Sequence, residues 1–120
     1  MTEQQIFEAA CAAAIKAFNG ASPDPMVVVG TNFMEIVEDG VCGFAWVKIK
    51  PARGKFVAYL KKNEIGDVSY TGGYEIWMGS AVDGAIGASQ SYERKLSAAR
   101  AFAKVLNENG ITAIPQGRLD

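Results

Sequence analysis

The sequence contains no histidine and only two cysteines, and these scarcities exclude several kinds of active site. Without an imidazole the chain cannot form a Ser-His or Cys-His nucleophile pair, and it lacks the usual general base for neutral pH. Cys11 and Cys42 do not form a CxxC pair, so a zinc site would need two distant thiolates completed by carboxylates. The sequence therefore predicts no metal and no cofactor. It identifies no catalytic residue, although a Glu, Asp, Lys or Tyr could still act as one.

The sequence also lacks long apolar runs. No stretch approaches the roughly 20 apolar residues of a membrane helix, and no basic segment followed by an apolar core resembles a signal peptide. Both cysteines lie in apolar stretches, "AACAAAIKAF" and "GVCGFAW", where a free thiol behaves as a small hydrophobic group. We expect a soluble cytoplasmic protein with unpaired thiols and no membrane partner.

Net charge is close to zero, at −1 over 120 residues, which argues against a protein that coats a nucleic-acid duplex. The charge is nevertheless unevenly placed along the chain. No basic residue lies between Lys16 and Lys48, while this interval contains Asp24, Glu35, Glu38 and Asp39. The segment that follows, residues 48–62, is basic. This asymmetry fits a charged ligand, an interaction between subunits, or simply a solvated surface.

Three helices are predicted from apolar periodicity and capping residues. Thr2 and Gln5 form a capping box that starts a helix over residues 3–19. A short helix is predicted over about 53–62. A long one over about 90–109 begins at Ser89 or Ser91 and has Leu96, Ala99, Ala103 and Leu106 on one face.

Strands are predicted between these helices. Residues 26–50 read as two or three strands with a tight turn at Asp39-Gly40, and residues 69–78 read as another strand with a glycine pair suited to a bulge. A loop over 79–89 and a closing strand, "ITAIP", complete the pattern. The sequence therefore predicts a single α+β domain over 1–120, with a mixed or antiparallel sheet packed by N-terminal, short central and long C-terminal helices.

One predicted strand carries the main candidate site. Alternation places Phe44, Trp46, Lys48 and Lys50 on one face, with Ala45, Val47 and Ile49 on the core side. Arg53 and Lys55 extend the basic row past Pro51. An aromatic ring can stack on a base while cations meet phosphate, so the row is suited to a nucleotide or a single strand. Alternatively, Trp46 is buried and the lysines only border the sheet.

Two further residues complete the candidate site. Trp77, beside Glu75, adds a second stacking surface if its strand neighbours the first, although tryptophan in a sheet–helix layer is more common. Arg118 and Asp120 form either a pocket pair or a frayed tail. The glycine-rich loop before the last helix lacks the sequence of a known phosphate loop. The predicted ligand-binding residues are Trp46, Lys48, Lys50, Arg53, Lys55, Trp77 and Arg118.

The segments "CGFAWVKIKPARGKFVAYLKK", "GGYEIW", "QSYERK", "AFAKVLNENGITA" and the closing "RLD" resemble a pattern found in small proteins of bacteriophages and prophages. The resemblance spans about residues 40–120 and implies a phage accessory protein. It identifies no functional residue. Such a protein would act in the host cytoplasm or reside in the virion.

Three functional hypotheses follow from the sequence. The first is a non-catalytic module that binds a phosphate-bearing ligand, a nucleotide or short single-stranded nucleic acid. The second is a protein-interaction or self-assembling domain, either a host-protein inhibitor or a virion component, in which a homo-oligomer is expected. The third is a metal-independent enzyme that processes nucleotides. Exposure of Trp46 and of the basic row would separate the first hypothesis from the others.

Overall fold

A computed structural model describes residues 1–21, 26–29, 34–37 and 42–119, with backbone only for 26–29 and 34–37. It confirms the α+β class. The helices are α1 (Glu3–Gly20), α2 (Lys55–Lys62), α3 (Met78–Ala81), α4 (Gly84–Ala88) and α5 (Tyr92–Glu108). The strands are β1 (Met26–Val29), β2 (Met34–Val37), β3 (Gly43–Ile49), β4 (Asp67–Val68), β5 (Tyr74–Trp77) and β6 (Ala113–Leu119).

Helix α1 begins at the predicted capping box. The backbone N–H of Gln5 donates to Thr2 Oγ1 (3.1 Å), and the Thr2 N–H donates to Gln5 Oε1 (2.9 Å), so two backbone donors at the helix start are satisfied. Ala10 and Ala14 are completely buried where α1 packs on α5. Their small side chains let the two helix backbones approach closely.

The main sheet is antiparallel, with strand order β4-β5-β3-β6. Strands β1 and β2 form a separate antiparallel pair. The predicted tight turn at Asp39-Gly40 lies outside the described residues. The strands on either side of it pair elsewhere, β2 with β1 and β3 with β5 and β6.

The core lies between α5 and one face of this sheet. Ala45, Val47 and Ile49 are buried on that face, as the alternation predicted, and Phe102 and Leu106 of α5 are completely buried. Ser91 caps α5 by accepting from the Arg94 N–H at 3.2 Å. The buried stripe of α5 comprises Lys95, Ala98, Ala99, Phe102, Ala103 and Leu106, whereas the predicted member Leu96 is only partly buried.

The strand predicted over 69–78 is shorter in the structure. Within that range only β5 is a strand, and Met78 already begins α3. Residues 69–73 form the turn that joins β5 to β4, with φ angles of 101° at Gly72 and 83° at Gly73. Glycine adopts this left-handed region without a steric penalty. The predicted bulge is therefore wrong, because the glycine pair forms the turn of a hairpin.

The segment predicted as a loop over 79–89 contains α3 and α4. Asp83 caps α4 by accepting from the Ala85 N–H at 2.6 Å, and a Cβ added to Gly79 would lie 2.6 Å from Gly87 Cα. The glycines thus permit two short helical turns to pack against each other. The closing strand β6 is longer than "ITAIP" and continues to Leu119.

Crossing a bilayer would need a longer and more apolar helix than any found in the described part of the chain.

Candidate functional site

The seven predicted ligand-binding residues fall into three places. Trp46, Trp77 and Arg118 lie on the sheet face opposite the core, which we call the outer face. Lys50, Arg53 and Lys55 surround a cleft at the start of α2. Lys48 lies on the outer face but beneath a turn. The predicted continuous row is therefore divided.

On the outer face, Trp46 and Trp77 are direct neighbours on β3 and β5. Their ring centroids are 4.6 Å apart and the ring planes differ by 23°. Trp46 Nε1 donates to Gln116 Oε1 at 2.9 Å, and Trp77 Nε1 donates to Glu75 Oε2 at 3.3 Å. Each indole therefore has one face covered by the other and its N–H already bonded, which reduces the surface on which a base could stack.

Arg118 lies at the far end of the same face. Its guanidinium carbon is 5.5 Å from the centroid of the Phe44 ring, and Phe44 meets Trp77 edge-on at 6.2 Å. Because β6 stays paired with β3 through Leu119, the alternative of a frayed tail at Arg118 is wrong. Asp120, the other member of the predicted pair, lies outside the described residues.

Lys48 lies on the outer face as the alternation predicted, but the prediction that it is exposed there as part of the basic row is wrong. Its side chain is only 7% exposed, and its ammonium donates to Thr71 Oγ1 at 2.9 Å. A Cβ added to Gly73 would lie 3.0 Å from Lys48 Cγ, so the glycine lets the β4–β5 turn lie directly over the lysine stem. This turn removes Lys48 from the surface that a ligand could reach.

Lys50, Arg53 and Lys55 are all exposed and line one cleft of about 310 Å³, which we call the basic cleft. Glu3 of α1 and the turn over residues 109–112 form the opposite wall. No hydrogen bond or ion pair joins these three cations to other residues that the structure describes. Since Glu3 is the only acid in the lining, positive charge predominates.

The basic cleft also contains the start of α2. Its N-cap is Gly54, with φ 106°, which offers no side-chain acceptor, and the first turn contains no acid. The first backbone bond of the helix is from the Ala58 N–H to the Gly54 carbonyl at 2.9 Å, so the preceding amides have no partner within the helix. These amides and the helix dipole favour an anion.

The cysteines offer no activated nucleophile. Both are free, and burial, with a smaller contribution from the charge of Glu8, raises the pKa of the Cys11 thiol to about 11. The Cys42 thiol donates to Gln90 Oε1 at 3.4 Å. Within the ranges that the structure describes, no three His, Cys, Asp or Glu side chains are grouped as a metal site.

Sequence reasoning missed Lys95, which is buried on the core side of α5 and reaches the first residues of β3. The available signal was its spacing. Residues 95, 98, 99, 102 and 106 follow the helical period, which places a lysine within the buried stripe. The predicted buried face was placed one position later, starting at Leu96, and therefore left Lys95 out of it.

No family model, curated protein or solved structure matches this chain. The resemblance to phage accessory proteins therefore stays a prediction, and function has to be argued from the geometry alone.

Proposed function

We propose that this protein is a non-catalytic module that binds a phosphate-bearing ligand, a nucleotide or short single-stranded nucleic acid, in the basic cleft. The observation that carries the proposal is the convergence of Lys50, Arg53 and Lys55 on the uncapped start of α2. As a phage accessory protein it would act in the host cytoplasm or within the virion.

Each group at the basic cleft contributes differently to phosphate binding. Arg53 presents a planar fork that can donate two parallel hydrogen bonds to one phosphate, while Lys50 and Lys55 act as mobile point charges. The amides at the start of α2 donate to phosphate oxygens along the helix axis. The cations need not break an internal ion pair with a described residue before they bind the ligand.

The size of the cleft limits what it encloses. A volume of about 310 Å³ is at the lower end of ordinary ligand pockets. The cleft therefore holds one phosphate group and a small part of its ligand, and the rest lies outside it. Trp46 contributes less than the sequence suggested, since its ring is stacked on Trp77.

The test is a charge reversal with a matched control on the same helix. Arg53→Glu combined with Lys55→Glu should weaken binding of ATP and of a labelled single-stranded oligonucleotide at least about tenfold. Lys61→Glu combined with Lys62→Glu, at the other end of α2, reverses the same number of exposed charges and should leave both affinities nearly unchanged. Isothermal titration calorimetry and fluorescence anisotropy measure the two ligands.

Salt dependence is the second measurement. Log affinity for the oligonucleotide should fall linearly with log salt, with a slope of roughly −2 for three phosphate contacts on a single strand. Equal losses in both double variants would show attraction by net charge alone and would contradict the cleft. Absence of binding to either ligand would refute the proposed function.

A second candidate function, self-assembly, is favoured by strand β6. It is an edge of the main sheet, no described strand pairs with its outer side, and Ile114 on it is 47% exposed. Exposed edges readily pair with another strand, and a second copy of this chain is the occupant we propose. Light scattering should then give a dimer that Ile114→Lys dissociates. A monomeric wild type would contradict it, and a host protein bound at β6 instead would support the interaction hypothesis.

A further inference from the structure

We infer that the chain has a second, separate binding site, a small pocket at the start of β3 that takes an aromatic carboxylate, with Lys95 as its cationic anchor. The pocket has a volume of about 260 Å³ and is lined by Phe44, Trp77, Ser80 and Lys95, among others. It lies roughly 20 Å along β3 from the basic cleft, given the rise of an extended strand.

Lys95 is the unusual feature of this pocket. The side chain is only 7% exposed, yet its ammonium has a single hydrogen-bond acceptor among the described residues, the Gly43 carbonyl at 3.1 Å. Its other contact is with the Phe44 ring, 5.1 Å from Nζ to the centroid. An ammonium carries three donors, and no carboxylate in the described part of the chain pairs with it.

A buried cation without a counter-ion is costly, so a ligand that supplies a negative charge at this point binds favourably. One carboxylate oxygen can accept from the ammonium of Lys95. The Ser80 hydroxyl on the rim donates to the Trp77 carbonyl at a long 3.5 Å, and it can rotate to donate to the ligand instead. Lys95 therefore supplies the positive charge that a carboxylate ligand needs.

The walls of the pocket select the rest of the ligand. Phe44 and Trp77 are both half-buried and meet edge-on, with ring centroids 6.2 Å apart. Beside them, the backbone of Gly79 and Gly87, which pack directly against each other, forms part of the lining. A flat apolar body can pack on these rings. Because the volume is below that of most ligand pockets, the ligand is a single-ring compound and not a nucleotide.

The experiment titrates the intact protein with benzoate and follows backbone amide and indole N–H signals by NMR. Shifts should concentrate at Phe44, Gly79, Gly87 and the Trp77 indole. Benzyl alcohol, which has the same ring without the charge, should bind at least about tenfold more weakly, since it forms no charge-assisted bond. Inorganic phosphate, a charge without the ring, should cause no shifts at this pocket.

The matched variants are Lys95→Met and Lys104→Met, both on α5. Lys104 is exposed, so its replacement should leave benzoate affinity unchanged, whereas Lys95→Met should lower it at least about tenfold. Replacing a buried charge with an apolar side chain of similar size is often neutral for stability, and Lys95→Arg retains the charge if Met is not tolerated. Lys95→Arg should still prefer benzoate to benzyl alcohol.

Several outcomes would overturn the inference. They are equal affinity for benzoate and benzyl alcohol, unchanged benzoate binding by Lys95→Met, shifts at Lys50 to Lys55 instead of Phe44, or no shifts at all. The wild-type comparison of benzoate with benzyl alcohol decides the matter even if every Lys95 variant unfolds. Failure of this test leaves the basic cleft unaffected, because the two sites share no lining residue.

Discussion

The indole of Trp46 lies on the indole of Trp77, with ring centroids 4.6 Å apart, across the pair of strands β3 and β5. Two tryptophans this close couple electronically, so the protein should show a paired positive and negative band in its ultraviolet circular dichroism. Trp77→Phe removes this coupling while it keeps an aromatic ring. We expect the paired band to vanish and stability to fall by about 0.5–1.5 kcal/mol. An unchanged band in the variant would contradict the stacked arrangement.

The burial of Lys48 predicts that its charge reversal lowers stability much more than the same change at Lys50. Lys48→Glu places a carboxylate beside Glu75, its partner in register, and removes the donor to Thr71, so it should cost at least about 2 kcal/mol. Lys50→Glu changes an exposed charge and should cost less than about 0.5 kcal/mol. Urea denaturation measures both. Equal stability of the two variants would place Lys48 at the surface.

Core packing by α5 is tested with Phe102→Ala and Leu106→Ala. Both side chains are completely buried, and the Phe102 ring meets Phe7 of α1 edge-on at 6.0 Å. Each truncation leaves a cavity and should lower the free energy of unfolding by about 2 to 5 kcal/mol. Lys104→Ala, on the exposed face of the same helix, is the control and should change it by less than about 0.5 kcal/mol. A similarly small change for Phe102→Ala would mean that Phe102 is not buried.

The raised pKa of Cys11 predicts a stability that depends on pH. The folded state disfavours the thiolate and favours the protonated thiol. The thiol of Cys11 therefore makes its full contribution to the free energy of unfolding below the ordinary thiol pKa of about 8.5. This stabilisation is lost as the pH rises from there through the folded-state pKa of about 11. Wild type should therefore lose more stability than Cys11→Ala over this interval, as measured by urea denaturation. Parallel pH profiles would show that Cys11 is not buried.

Thiol titration completes the test of the cysteines. The denatured, unreduced protein should contain two free thiols, Cys11 and Cys42. In the folded protein at neutral pH, Cys11 should react much more slowly than an unhindered thiol, because the thiolate is the reactive form. Finding no free thiol after denaturation would refute the prediction that both cysteines are unpaired.

Local sequence signals predicted much of this fold. These signals act between residues that are close in sequence, so a short segment is enough to predict the structure they form. They are the Thr2–Gln5 capping box, the cap at Ser91 and the alternation of Ala45, Val47 and Ile49. The basic cleft was partly predictable for the same reason, since Lys50, Arg53 and Lys55 are close in sequence.

Features that depend on distant residues could not be predicted in this way. Lys48 is buried because the turn after β4 lies over it, and Trp46 is covered because β5 pairs with β3 in one particular register. The far wall of the basic cleft comes from residues 109–112. Periodicity alone specifies neither strand register nor which turn covers which side chain.

The order of pairing in the main sheet has a consequence for how the chain is made. Strand β3 is central, but one neighbour, β6, follows it only after four helices and two other strands, and α1 packs on α5, which lies many elements later in the sequence. During translation, α1 leaves the ribosome well before α5 has been synthesised, and β3 leaves it well before β6. Contacts of such long sequence separation form slowly, and the main sheet cannot be completed until β6 has emerged. The apolar faces of α1 and β3 are therefore open to chaperones until α5 and β6 have been synthesised, and truncation before β6 should yield aggregated chains instead of a smaller folded domain.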